Sequence, residues 1–285
     1  MYPYKALIPL YQTILNLTKG RGEYTLAKLD VFLFRSNRKI KISYNSDFYI
    51  SLPPDAHFFR YLTKSHEQHI SNAISKLVKN GDTVVDIGAN IGYFSAYAAS
   101  AVGKKGKIFC LEPEAKNFEY LKANCDVIKN HGFNCLAYNV AASSVNGEAV
   151  LSIHQYSTYH AIEDEFHHLD KVENKQIVST VTLDQWTQEQ GIQRISLLKI
   201  DTEGHEQKVL EGAIELFSVG AVDFVILECR SNEIGDFIDK FSQKFSLHQL
   251  TWDGHKWHQS KAGSLKFKTE CLLSKLLVTP NALCY

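Results

Sequence analysis

The 285-residue chain has no excess charge of either sign: 31 Lys and Arg balance 31 Asp and Glu, for a formal net charge of +0. A nucleic-acid binder needs a basic face to neutralise phosphates, and this balance gives no such footprint, local patches aside. Paired cysteines are missing too. The six cysteines, at 110, 125, 135, 229, 271 and 284, form no C-x-x-C pair and no zinc-ligand spacing. Cys110, Cys229 and Cys271 lie inside apolar runs, where a buried thiol is expected. The pattern suits a reducing cytoplasm rather than a secreted disulfide framework. Long apolar runs are also absent. The opening stretch MYPYKALIPLYQTILNLTKGRG is interrupted by Pro3, Pro9 and Gln12, and falls well short of the roughly 20 residues that span a bilayer. It has no basic n-region and no small-residue cleavage site, so no signal peptide is predicted. Asn16-Leu17-Thr18 is then a chance match to a glycosylation acceptor. Residues 6–17 suit a helix packed on the main domain, or at most one touching a membrane surface. Repeats and low-complexity tracts are lacking as well.

What remains reads as a globular α/β chain. Hydrophobic residues make up 45%, enough for a packed core, and charged residues 22%. Residues 1–64 are uneven, with short runs such as KLDVFLF and KIKISYN before the turn-prone LPPD. They predict an accessory region holding a small hairpin or helices. From residue 65 to 285 the pattern is regular and predicts one domain. HEQHISNAISKLVKNGD carries Ile70, Ile74, Leu77 and Val78 at helical spacing, with Gly81 as a stop. Strand and helix candidates then alternate: TVVDIG, YFSAYAASAVG, KIFCLEP, NFEYLKANCDVIKN, FNCLAYNVAA, and later ISLLKID, EQKVLEGAIELF and VDFVILEC. Apolar strands alternating with amphipathic helices predict a mostly parallel sheet covered on both faces. Two stretches depart from this. Residues 143–190 hold EAVLSIH and QIVSTVTL around a polar, histidine-bearing loop at 154–176. Near the C-terminus, Asp253-Gly254 separates apolar runs, which predicts antiparallel strands finishing the sheet.

Three motifs carry chemistry. The first is VVDIGANIGYF, residues 84–94. In an open parallel sheet, ligands sit beyond the carboxyl ends of the strands, and a glycine turn there lets backbone N–H groups approach them. The dinucleotide fingerprint G-x-G-x-x-G is absent. In its place Asp86 precedes Gly88, Asn90 and Gly92. A carboxylate at this point repels a pyrophosphate but suits a cationic ligand such as S-adenosylmethionine, with its sulfonium and ammonium groups. The second is FCLEPEAKNFEYL. Glu112 ends the next strand, 20 residues past Gly92, where an ionised carboxylate accepts both hydroxyl protons of a ribose. The third is LLKIDTEGHEQKVLEGA. Asp201 ends a strand that should neighbour the first, and Glu203 and His205 follow in the turn. Such titratable groups at the mouth of a cleft form a candidate acid/base cluster, with Lys199 contributing or flanking. At a helix N-terminus the dipole favours the neutral imidazole of His205.

Together, DTVVDIGANIGYFS, IFCLEPEAKNFEYLKAN, VTLDQW and LLKIDTEGHEQKVLEGA resemble the FkbM family of S-adenosylmethionine-dependent methyltransferases, over roughly residues 65–230. The resemblance implies a Rossmann-like sheet of about seven strands whose last strand runs antiparallel. It implies S-adenosyl-L-methionine as cofactor and O-methylation of a hydroxyl on a small-molecule acceptor, often a sugar. It also implies that Glu67, in SHEQHI, faces the cofactor, and that Asn139, in AYNVAAS, is the asparagine after the third strand.

The expected assignment is therefore Asp201, His205 and Glu203 as catalytic groups. Glu67, Asp86, Gly88, Asn90, Gly92, Glu112 and Asn139 bind the cofactor, and no metal is assigned. A metal route through Asp201, Glu203 and His205 is the lesser reading. Three other classes compete. A nicotinamide oxidoreductase is opposed by the missing fingerprint and by Asp86. A DNA amino-methylating enzyme would carry N-P-P-aromatic or D-P-P-aromatic where this chain has KIDTEG, and its one Pro-Pro lies at 53–54. A non-catalytic binding protein on the same fold is the third, and methylation of a protein acceptor also stays open. For acceptor contacts, Trp252, Trp257 and His258 in a terminal loop, and Tyr156, Tyr159, His160, His167 and His168 in the insertion, offer stacking and hydrogen bonds. Oligomeric state has no signature.

Overall fold

A computed structural model describes residues 39–41, 48–54, 66–154, 161–162, 172–229, 245–252, 257–261 and 269–275, with Thr13 and Tyr61. The expected helix at 6–17, Thr13 apart, lies outside the described residues, as do Tyr156, Tyr159, His160, His167 and His168. A short antiparallel hairpin, β1 (Lys39–Lys41) and β2 (Tyr49–Ser51), comes first. The alternation follows as α1 (Gln68–Leu77), β3 (Thr83–Ile87), α2 (Tyr93–Val102), β4 (Lys107–Leu111), α3 (Ala115–Asn130) and β5 (Asn134–Tyr138). Then come β6 (Ala141–Ala142), β7 (Gly147–His154), β8 (Ala161–Ile162) and β9 (Val172–Val181). The chain continues through α4 (Leu183–Glu189), β10 (Ile195–Ile200), α5 (Glu206–Glu211), α6 (Ile214–Ser218) and β11 (Val222–Cys229). It closes with β12 (Phe245–Trp252), β13 (Trp257–Lys261) and β14 (Thr269–Lys275).

The main sheet has the order β13-β12-β14-β11-β10-β3-β4-β5. Strands β11, β10, β3, β4 and β5 are parallel. The last strand, β14, runs antiparallel between β11 and β12. This is the Rossmann-like arrangement of class I methyltransferases. One strand exceeds the expected seven: β13 turns back on β12, with Trp252 opposite Trp257. Trp252 therefore ends one strand, and Trp257 and His258 begin an edge strand, rather than occupying a loop; the Asp253-Gly254 turn expected between them lies outside the described residues. Residues 141–181 form a second sheet, β6-β9-β7-β8, so the single strand expected from FNCLAYNVAA is split between two sheets after Tyr138.

Strand alternation divides the core. Val84, Ile108, Leu197 and Ile226 pack with α1, α2 and α3. Val85, Phe109, Leu198 and Val225 pack with α4, α5 and α6 on the other face. Helices on both faces explain the near-continuous apolar strands. No described helix is long and apolar enough to cross a membrane.

The β1–β2 hairpin is tied into the first core by buried Phe48 and Ile50 and by one amide. The Asn124 Oδ1 accepts from the Ser51 N–H at 2.7 Å. Its Nδ2 donates to the carbonyls of Ser51, at 3.0 Å, and Ile91, at 2.8 Å. Asn124 thus joins hairpin, helix and glycine turn from a position that is 1% exposed. Asn124→Ala takes this partner from the part-buried Ser51 N–H and carbonyl and from the Ile91 carbonyl, and is expected to cost about 2–4 kcal/mol in urea unfolding. A loss below about 0.5 kcal/mol would mean that water replaces the amide.

Candidate active site

The order of strands reverses at β3: β4 and β5 lie to one side, β10 and β11 to the other. Ligands of such sheets bind at the carboxyl ends beside this switch point. There the chain leaves β3 through Gly88, at φ 69°. A Cβ at Gly88 would collide with the carbonyl oxygen of Asp201, so only glycine lets the turn lie against the end of β10. The Gly88 and Ala89 N–H groups both donate to the Leu111 carbonyl at 3.0 Å. Asn90 takes the left-handed conformation at φ 51°, with its Oδ1 accepting from the Ile91 N–H at 2.8 Å. Gly92 precedes the first residue of α2.

Glu112 closes the turn from β4. Its Oε2 accepts from the Asn90 N–H at 2.8 Å and its Oε1 from the Glu114 N–H at 3.0 Å. Burial pushes its carboxyl up to about 7, against the pull of these two donors. Each ionised oxygen keeps a further lone pair for a ligand hydroxyl. Asn139 braces this strand end from behind, donating to the Glu112 and Pro113 carbonyls at 2.9 and 3.0 Å, and does not line the cleft.

Asp86 lies beneath the cleft. The β3–β10 register pairs it with Lys199, placing both side chains on one sheet face. The Lys199 Nζ is 3.4 Å from Asp86 Oδ1 and 3.2 Å from Asp201 Oδ2. The Ser95 hydroxyl donates to Asp86 Oδ2 at 2.6 Å. The ammonium also sits 5.2 Å from the centre of the Phe94 ring. Burial disfavours this charge, but Asp201, then Asp86 and Glu67, outweigh it and hold the Lys199 ammonium above its ordinary value. Asp86, read from sequence as facing a cationic ligand, thus has a cation of the fold itself beside it.

The turn after β10 is held by a carboxylate that sequence reasoning missed. Glu206 is 4% exposed. It accepts from the Thr202 N–H and hydroxyl at 2.9 and 3.0 Å, and from the Gly204 N–H at 3.1 Å. These bonds keep Glu203 in the left-handed region, at φ 58°. His205 stands at the N-cap position of α5 without a capping side-chain bond, and meets the Ser143 hydroxyl through Nε2 at 3.0 Å. Glu228 is the second missed residue. Register pairs Ile200 with Leu227, so the next residues, Asp201 and Glu228, end adjacent strands side by side. One oxygen each from Asp201, Glu203 and Glu228 lie within 4.8 Å of one another. An acid at the carboxyl end of the apolar run FVILE was the available signal.

These groups share one cleft. Its lining includes Glu67, Gly88, Asn90, Glu112, Lys199 and Asp201, then Glu203, His205 and Glu228, with Ala142, Leu151 and Ile162 from the second sheet. Among the described residues, five lining carboxylates face one lysine. Such a cleft attracts positive charge. With Glu112 open to a vicinal diol, the donor set fits S-adenosylmethionine.

Comparison with known proteins agrees with this chemistry. The Methyltransferase FkbM domain pattern matches residues 86–248. A hexuronic acid methyltransferase, AglP, of Haloferax volcanii is 25% identical over 168 residues, which cover 57% of this chain and 62% of that protein. The chain thus aligns with less than two thirds of that relative's length. The crystal structure of methyltransferase FkbM from Methylobacillus flagellatus KT superposes with a TM-score of 0.48 at 14% identity, over 77% of this chain and 54% of that one. Aeropyrum pernix fibrillarin, solved with natively bound S-adenosyl-L-methionine, gives 0.43 at 10% identity, over 73% and 74%. The domain match takes in the glycine turn, Glu112 and the carboxylates beyond β10 and β11, and the chain belongs to the FkbM family of methyltransferases.

Proposed function

We propose that this chain transfers the methyl group of S-adenosyl-L-methionine to a hydroxyl of a sugar or related small molecule, in a reducing, cytoplasmic setting. The observation that supports this reading is the acidic cleft around the glycine turn, which Glu112 and Asp201 both line. The printed activity of the Haloferax relative makes uronic acid-containing sugars the first acceptors to try. We assign the chemistry to residues 65–285 and treat 1–64 as an accessory region.

When bound, S-adenosylmethionine supplies an electrophilic methyl on a sulfonium. The backbone of residues 88–91 and Glu112 hold the nucleoside end, and Glu67 with the neighbouring carboxylates balances its positive charge. Asp86 and Lys199 stiffen the floor, and Asn139 fixes the Glu112 strand end. Asp201 accepts the proton of the acceptor hydroxyl, with Glu203 and His205 shaping that side of the cleft. Holding the hydroxyl roughly 3–3.5 Å from the methyl in an aligned pose supplies much of the rate.

The test is calorimetric titration with S-adenosylhomocysteine, with NAD as control. Wild type is expected to bind the former only. Glu112→Gln replaces a charged acceptor by a neutral one and is expected to weaken binding about 10- to 100-fold. Equal affinity in the variant would remove Glu112 from the site.

Affinity is also expected to depend on pH. Ribose hydroxyls donate to the ionised carboxylate, so binding should weaken as the pH falls through about 7, where Glu112 takes up a proton. The stability of the free protein moves the other way. Its folded-state value lies above the unfolded one, so this group's contribution is present at low pH and is lost as pH rises towards and through about 7. Titrations between pH 5.5 and 8.5 that show flat affinity would contradict the assignment.

The trio of Asp201, Glu203 and Glu228 supports a second reading, in which a divalent oxygen-seeking cation polarises the hydroxyl. Full activity after exhaustive EDTA treatment would eliminate it.

A further inference from the structure

Three thiols outside the cleft meet in the core. Cys110 comes from β4, Cys125 from α3 and Cys135 from β5, and all three are buried. The Cys135 Sγ donates to the Cys125 Sγ at 2.9 Å, within about 1 Å of a disulfide bond length. Cys110 lies farther off, at 3.8 Å from Cys135 and 4.0 Å from Cys125. Leu121, Ile128 and Ile108 belong to the same cluster, and Ser95 and Asp86 lie on the Cys110 side. We propose that Cys125 and Cys135 are a modification site, forming a reversible disulfide when the protein meets a hydroperoxide, with Cys110 the thiol left reduced.

The unequal spacing selects this pair. Charge selects the product. A soft metal held by three thiolates would place several anionic sulfurs in an apolar site, opposite Asp86, the β3 residue in register with Cys110. A disulfide is neutral and incurs no such desolvation cost. Hydrogen bonding to Cys110, and then to Cys135, holds the Cys125 thiol below its ordinary value, which favours it as the attacking sulfur.

The steps balance. The Cys125 thiolate attacks the peroxide oxygen; an S–O bond forms, the O–O bond breaks, and the departing alkoxide takes a proton to become an alcohol. Cys135 sulfur then attacks the Cys125 sulfenic acid; the S–S bond forms and water leaves. The two thiols lose two electrons and the hydroperoxide gains them. A dithiol reductant reverses the change. The bridge ties the second half of α3 to β5, so the oxidised protein should melt at a higher temperature than the reduced one.

The test uses the full chain, reduced, freed of reductant and treated with hydrogen peroxide, then alkylated and digested with trypsin. Cleavage after Lys107, Lys116, Lys122 and Lys129 leaves each of the three cysteines on its own peptide. The expected product is a linked Cys125–Cys135 pair that dithiothreitol releases. It should persist in Cys110→Ser and vanish in Cys125→Ser and Cys135→Ser. If a serine variant fails to fold, the wild-type peptide map decides alone. The proposal is overturned by full alkylation of Cys125 and Cys135 after peroxide, by sulfinic acid without a link, or by a bridge to Cys110. Stoichiometric metal that protects all three thiols in the purified protein would overturn it too.

Discussion

Lys199→Met is expected to lower stability by about 3–5 kcal/mol, because it strands a charge rather than removing one. Lys199 and Asp86 side chains are 3% and 2% exposed. Methionine fills much of the lysine stem but leaves Asp86 in the core with, among the described residues, only the Ser95 hydroxyl donating to it. For a domain of this size the melting temperature should fall by roughly 10 °C. The double variant Lys199→Met, Asp86→Asn should recover part of the loss, since the stranded carboxylate is gone. A sign check is available in the single variant. A buried carboxyl without its cation binds a proton more tightly folded than unfolded, so its stability should improve as pH falls from neutral. A melting temperature equal to wild type would mean that water reaches Asp86 and that the pair contributes nothing.

Asp201→Asn is expected to reduce kcat by about 10²–10⁴-fold, the range for removing a general base, while leaving the affinity for S-adenosylhomocysteine near wild type. Asparagine keeps the shape and an acceptor for Lys199 but cannot take up the hydroxyl proton. Because Asp201 is 27% exposed and Lys199 retains Asp86, the variant should fold with little loss. That separates it from Lys199→Met, which damages fold and floor together. The measurement is single-turnover methylation of a uronic acid-containing glycoside, beside calorimetry of the same preparation. Collapse of cofactor affinity with little change in the chemical step would make Asp201 a binding residue, and the base would have to be sought at Glu203 or Glu228.

Local features were legible in the linear chain. Alternating apolar strands and helices, Gly88 before Asn90 and Gly92, an acid at the tip of the next strand, and turn chemistry near Asp253-Gly254 each depend on neighbours within a few residues. They led to the parallel sheet, its antiparallel finish and the glycine turn now seen beside Asp201. Other features rest on contacts that no short window contains. The β3–β10 register brings Lys199 to Asp86, a buried pairing that no short stretch of sequence shows. The β10–β11 register places Glu228 beside Asp201, adding a carboxylate that had looked like the end of an apolar strand. His205 turns to Ser143, which precedes it by 62 residues. Of the three clustered thiols, only Cys110 lay in a run that predicted burial; packing of β4, α3 and β5 buried Cys125 and Cys135 beside it. Side-chain periodicity is a property of the backbone and can be read along the chain; which strand lies beside which, and in what register, is set by closing distant loops around a common core, and that closure decided the site.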